Sequence, residues 1–285
     1  MSFIAANGAL EPRAFSMSLS GMRLRVLSAI VLAVPVLLSV YIGYPLYDLV
    51  FSLVALVMVL EWDRLCGTER RDAVTWVFAA AVLTAVMLSI AGRYVPALWS
   101  IPVGFVVIYA TARGLHRELP LLAASGAFYI GIPVVALLWL RRDSADGMAT
   151  IFWLLAVVWA TDTAALFAGR AIRGPKLAPS ISPNKTWAGF FGGVIAAAVV
   201  SMIAGLWLGL SSVMVLVAVG AVLSVASQAG DLLESRVKRF LNVKDSGDII
   251  PGHGGIFDRV DGLLTAAPVL AVIYLLVGGG GGLWR

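Results

Sequence analysis

Residues 231–261 read DLLESRVKRFLNVKDSGDIIPGHGGIFDRVD, the densest polar stretch in a very apolar chain. It carries the cations Arg236, Lys238, Arg239, Lys244 and Arg259 and the acids Asp231, Glu234, Asp245, Asp248, Asp258 and Asp261. Apolar segments lie on both sides, so these charges are pinned beside whatever buries those segments. Asp231, Glu234, Ser235 and Lys238 are spaced for one face of a helix. Pro251 and the glycines at 247, 252, 254 and 255 break that helix. Asp258 and Asp261 then stand one turn apart, where a new helix begins. Two helix-borne groups of carboxylates joined by a Gly-rich cationic loop can hold a divalent cation and a polyphosphate. Carboxylate oxygens suit Mg²⁺, and Gly-rich backbone with Lys and Arg suits phosphate. The plain alternative is a solvated loop of mixed charge.

The flanks decide the fold class. Of 285 residues, 60% are hydrophobic and 13% charged, against about 25% charged in soluble domains. The chain therefore reads as an all-α integral membrane protein. Apolar runs at about 26–45, 46–60, 73–91, 95–112, 119–140, 149–169, 187–209, 211–230 and 262–278 give about nine spans at ~20 residues each. The run 46–60 is the weakest of them. Residues 1–22 read as an N-terminal interfacial segment and 23–285 as a single polytopic domain. The Gly278–Gly282 run reads as a frayed tail.

Placing the N-terminus in the cytoplasm leaves only Arg93, Arg141, Arg142 and Arg285, of 21 Lys and Arg, on the far side. The positive-inside rule favours this arrangement, with Arg141–Arg142 the awkward pair. It also puts the polar loops 170–186 and 231–261 on one side, where they can meet. The net charge of +5 then reflects loop bias and attraction to anionic lipid rather than nucleic acid. The single cysteine, Cys66, excludes an intramolecular disulfide and a zinc cluster.

Asp162 lies inside the run WLLAVVWATDTAALFAGR. A carboxylate within a span costs about 2.5–3.5 kcal/mol, which marks it as functional by default. Gly169, two turns on, permits close approach of a helix or ligand. The following loop, GPKLAPSISPNKTWAG at 174–189, is kept extended by Pro175, Pro179 and Pro183. It offers Ser182, Asn184, Lys185 and Thr186 to phosphate. Glu61 reads as an interfacial acid next to Trp62, and His116 as an ordinary interfacial residue. No G-x-x-x-x-G-K-[ST] loop, G-x-G-x-x-G fingerprint, H-x-G-H motif or D-G-x-x-A-R motif is present.

The stretch from Ser235 to Asp261 resembles the C-terminal signature of the phosphatidate cytidylyltransferases, S-x-x-K-R-x4-K-D-x5-P-x-H-G-G-x-x-D-R-x-D. Every fixed position is present: Ser235, Lys238, Arg239, Lys244, Asp245, Pro251, His253, Gly254, Gly255, Asp258, Arg259 and Asp261. Upstream, Asp162 to Arg170 and Ser182 to Gly189 are similar to the family's D-x-x-A-x-x-x-G-R and S-P-x-K-T-x-x-G. The signature regions are thus 162–189 and 231–262. Leu166 and Ala188 stand where members commonly have Tyr and Glu.

The resemblance implies transfer of a cytidylyl group from CTP to phosphatidic acid at the cytoplasmic edge of a bacterial inner membrane. It implies Mg²⁺, with room for a second cation, held by Asp231, Asp258 and Asp261. Asp162, Lys238 and Lys244 are expected to join the acids in catalysis. Ser182, Lys185, Thr186, Ser235, Arg239, Asp245, His253, Gly254, Gly255 and Arg259 are expected to bind substrate. A homodimer is compatible with it. Rival readings are a polyprenol kinase or CDP-archaeol synthase, distinguished by acceptor and by release of pyrophosphate, and a cation-coupled transporter using Asp162 and Asp231. A transporter would show matched broken helices in two halves, whereas the polar residues here gather toward the C-terminal half.

Overall fold

Short polar turns punctuate the apolar runs, and each run winds into a helix because a chain in hydrocarbon must satisfy its backbone groups internally. The computed structural model describes residues 31, 33–67, 71–142, 146–243, 245–247, 254–277 and 283–284. Among these, the helices are α1 (Ala33–Ile42), α2 (Leu46–Leu65), α3 (Ala73–Ile90), α4 (Tyr94–Gly114) and α5 (Pro120–Arg142), then α6 (Gly147–Ile172), α7 (Trp187–Trp207), α8 (Val213–Phe240) and α9 (Phe257–Leu276). Seven of them, α3 to α9, are long and apolar enough to cross a membrane. Of the about nine expected spans, the first (26–45) lies partly outside the described residues, and the run 46–60 corresponds to α2, which is not among the seven. α1 is short among the described residues, and α2 carries Asp48, Glu61, Asp63 and Arg64. The segment 1–22 and the glycine run 278–282 lie outside the described residues.

One expectation of the all-α reading changes. The loop between α6 and α7 folds into a two-stranded antiparallel hairpin, β1 (Lys176–Ala178) with β2 (Ser182–Thr186). Arg173 at φ +60° and Gly174 at φ +95° turn the chain off the end of α6 into β1. The prolines that suggested an unpaired extended loop are compatible with a two-stranded ribbon, where Pro183 can face away from the ladder.

One end of the bundle collects the loops after α2, α4, α6 and α8. There Arg117, after α4, pairs with Asp63 of α2 and with Asp72, the N-cap of α3. Arg239, near the end of α8, donates to the Ile181 carbonyl of the hairpin at 3.3 Å. The two large polar loops therefore do meet.

The opposite end accounts for the awkward arginines. Arg142 pairs with buried Asp48 at 2.9 Å and bonds the last carbonyl of α3, at Ile90. Arg141 donates to Val40 O at 3.0 Å. Both therefore close helix ends instead of facing solvent as spare charge. The chain's end returns to this face: Leu283 is buried and Trp284 Nε1 donates to Thr150 Oγ1 at 2.9 Å. Its last described residues are thus docked.

Candidate active site

Small residues make the site by letting two helix pairs touch. On the α6–α7 seam, a Cβ at Gly189 would lie 2.7 Å from Ala165 O, and one at Gly192 would lie 2.5 Å from Ala168 Cβ. On the α8–α9 seam, a Cβ at Gly230 would lie 2.2 Å from Thr265 Oγ1 and 2.7 Å from Asp261 O. A Cβ at Gly262 would come within 2.3 Å of Ser227 Oγ. Asp231 follows Gly230 and Asp261 precedes Gly262, so the closest approach of α8 and α9 is also where these two acids are brought together.

A cavity of about 940 Å³ opens between α6, the hairpin, α7 and α8. Asp162, Ser182, Lys185, Thr186 and Asp231 all line it. Lys185 Nζ forms an ion pair with Asp231 Oδ2 and joins the two signature regions directly. Ser235 Oγ donates to the other oxygen of Asp231 at 3.4 Å. Thr186 also caps α7, its hydroxyl accepting from Gly189 N at 3.1 Å.

Behind the cavity lies a tightly laced knot. Asp258 Oδ2 accepts from Ser246 N at 3.0 Å, Ser246 Oγ at 2.9 Å and Gly255 N at 3.0 Å. Its Oδ1 is taken by Lys238 Nζ, which also reaches Glu234 Oε1 at 3.2 Å. The sequence assigned Asp258 to the metal along with Asp231 and Asp261, yet both of its oxygens are already engaged by protein donors. Gly254, at φ +80°, and Gly255 belong to this knot, because a side chain at Gly255 would strike Ser246 and Glu61. Asp245 and Arg259 are exposed at its rim. Lys244 and His253 lie outside the described residues.

Several cavity-lining residues were absent from the expected site. Arg170, Arg173 and Lys176 add positive charge to it, and Gln228 donates to Phe190 O at 3.3 Å. The cations were visible in the sequence as a cluster after Asp162, but nothing there said that the hairpin would fold them over a cavity. Leu166, the residue standing in place of the common Tyr, lines the same cavity.

Among the described residues, no group of three or more His, Cys, Asp or Glu side chains is assembled as a metal site. The chemistry of Asp231 and Asp261 nevertheless fits a hard cation. Both supply carboxylate oxygens, and Asp231 already neutralises the ammonium of Lys185. Asp258 fits less well, because a cation there would have to displace Lys238 from one oxygen and the Ser246 and Gly255 donors from the other, whereas Asp231 holds only Lys185 and a Ser235 hydroxyl at 3.4 Å.

A family model for the cytidylyltransferase family matches residues 23–277. The chain belongs to the cytidylyltransferase family. A phosphatidate cytidylyltransferase of Brucella suis is 38% identical over 88% of this chain and 93% of its own length. Those of Staphylococcus epidermidis and Haemophilus influenzae are each 32% identical over 89% of this chain, and over 99% and 98% of their own lengths. Nearly the whole bundle takes part in this similarity, so the cavity and its seams belong to the shared region.

Proposed function

We propose that the protein is a phosphatidate cytidylyltransferase that converts CTP and phosphatidic acid into CDP-diacylglycerol and pyrophosphate. The names of its relatives support the reaction, and the Lys185–Asp231 pair at the cavity is the observation that carries it to this chain. That pair sets an acid and a base-rich hairpin at the mouth of a membrane-embedded cavity. A phosphate at the headgroup plane and a nucleotide from the aqueous side can meet there. In this reading the polar end of the bundle faces the cytoplasm of a bacterial inner membrane, as the distribution of Lys and Arg favours.

Both substrates are polyanions, so the residues' work is positioning and charge neutralisation. A phosphate oxygen of the lipid attacks the α-phosphorus of CTP, and the bond to pyrophosphate breaks. The nucleophile is already ionised and needs no general base. Lys185, Arg170, Arg173 and Lys176 neutralise phosphates in the cavity, with Arg239 at its edge, while Ser182 and Ser235 add hydroxyl contacts. Asp231 and Asp261 would hold Mg²⁺, and Asp162 completes the acidic wall. When bound, Mg²⁺ offsets charge on the α-phosphate and on the leaving pyrophosphate. Asp258 and Lys238 fix the loop that carries Gly254 and Gly255.

The test is incubation of purified protein with labelled CTP, phosphatidic acid and Mg²⁺. Labelled lipid with stoichiometric pyrophosphate is expected. Release of CDP with a phosphorylated lipid would instead indicate a kinase, and no labelled lipid with any acceptor would remove the enzyme reading.

A further inference from the structure

The first turn of any helix leaves backbone N–H groups without partners, and they are usually met by a side chain at the N-cap. In α9 the N-cap is Ile256, which has no side chain able to accept. Glu61 of α2 supplies the acceptors instead. Its Oε1 accepts from Ile256 N at 2.8 Å and its Oε2 from Phe257 N at 2.9 Å. Glu61 is 2% exposed. The loop closes on it without slack: a Cβ at Gly255 would lie 2.8 Å from Oε2, and one at Gly247 would lie 3.2 Å from Oε1. The neighbouring Trp62 packs on Phe257 with ring centroids 5.6 Å apart, and Tyr129 stacks on Phe257 from α5 at 5.7 Å.

We infer that Glu61 is a positioning residue for the reaction, a carboxylate brace from α2 that sets where α9 begins and therefore where Asp261 stands. The inference rests on the cytidylyltransferase reading. Two carboxylates grip the same loop from opposite sides, Asp258 from within and Glu61 from α2. A negative charge at a helix N-terminus is favourable, and two bonds from one carboxylate fix both the height and the tilt of the first turn. Asp261 lies in that turn's continuation, so loss of the brace moves it relative to Asp231. Displacement of a reacting group by ~1 Å can cost about 10²-fold in rate.

The test compares wild type, Glu61→Gln, Glu61→Ala and Asp48→Asn, the last cutting the ion pair with Arg142 at the opposite end of α2. Steady-state kinetics, thermal melting and hydrogen exchange by mass spectrometry are read on each full-length protein in detergent. Glu61→Gln keeps the shape but turns an amide NH₂ toward one of the two N–H groups. Its kcat is expected to fall about 10²-fold while KM for CTP moves by less than about threefold. Exchange in peptides covering 254–262 is expected to quicken. Asp48→Asn is expected to lower the melting temperature without lowering kcat. The inference is overturned if Glu61→Gln keeps wild-type kcat, if exchange in 254–262 is unchanged, or if Asp48→Asn loses kcat in step with its melting temperature. If Glu61→Ala fails to fold, Glu61→Gln decides alone. Wild-type protein that makes no CDP-lipid removes the functional reading instead, and the exchange result still reports whether Glu61 holds the start of α9.

Discussion

Lys185 on the hairpin and Asp231 on α8 are ion-paired inside the same cavity. They come from two signature regions that the chain separates by the whole of α7. The pair satisfies these two charges, and each partner is available to a ligand of opposite sign.

Lys185→Ala is therefore expected to cut kcat/KM for CTP by about 10²-fold or more, as loss of one preorganised charge on a transferring phosphoryl group does. The fold should survive, since both partners are partly open to solvent, with side-chain exposures of 25% and 35%. Kinetics together with a melting curve check this. A variant that melts early but turns over normally would assign the pair to stability.

Asp258 and Asp261 are expected to part company. Asp258→Asn puts an amide where Lys238, Ser246 and Gly255 all donate, so it should lose stability as well as activity. Breaking a buried pair from one side costs about 3–5 kcal/mol. Asp261→Asn should cut kcat by about 10²-fold or more with little loss of stability, and should raise the Mg²⁺ concentration that the residual activity needs. Parallel melting and Mg²⁺ titrations of the two variants decide whether the cation takes Asp258 or Asp261.

Helix periodicity made most of the bundle legible. Asp231, Glu234, Ser235 and Lys238 do share one continuous helix, α8, and Asp258 and Asp261 do open the next. The spacing could not show that Asp258 turns back onto Ser246 and Gly255, because that depends on the path of a loop. The role of Glu61 was equally hidden. It bonds residues 195 and 196 positions away, and nothing local distinguishes such an acid from an interfacial one. The hairpin was missed because its prolines mask a strand; Ser182, Asn184, Lys185 and Thr186, singled out in the sequence for phosphate, line the cavity.

Acid should loosen the outer ring of the polar end first. Burial raises the Asp72 carboxyl, but Arg117, bonded to it, outweighs that and holds it below its ordinary value. A depressed carboxylate contributes stability that is present above its unfolded pKa, about 3.9, and lost as pH falls through its lower folded value. Wild type should therefore exceed Asp72→Asn in melting temperature at neutral pH, with the gap closing below about pH 4. Asparagine can still cap α3, so the difference isolates the charge. A gap that stays constant with pH would assign Asp72 to capping alone.

Gly230 and Gly262 carry the last expectation. Alanine at either would place a methyl group within 2.2–2.3 Å of a neighbouring hydroxyl, and at Gly230 also 2.7 Å from the Asp261 backbone carbonyl. The Ser227 hydroxyl can rotate away from a methyl at 262, but the Asp261 carbonyl cannot retreat from one at 230, so Gly230→Ala must separate α8 and α9 at the level of Asp231 and Asp261. Overpacking of this kind costs about 1–3 kcal/mol. Gly220→Ala is the comparator: its Cβ would lie 2.0 Å from Ser201 Oγ, on the α7 side of α8 and away from both acids. Gly230→Ala and Gly220→Ala should both melt early, but only Gly230→Ala should lose kcat by about 10²-fold, while Gly262→Ala should be milder in both. Loss of kcat in Gly220→Ala as well would mean that the whole bundle, rather than the seam between α8 and α9, sets the spacing of the two acids.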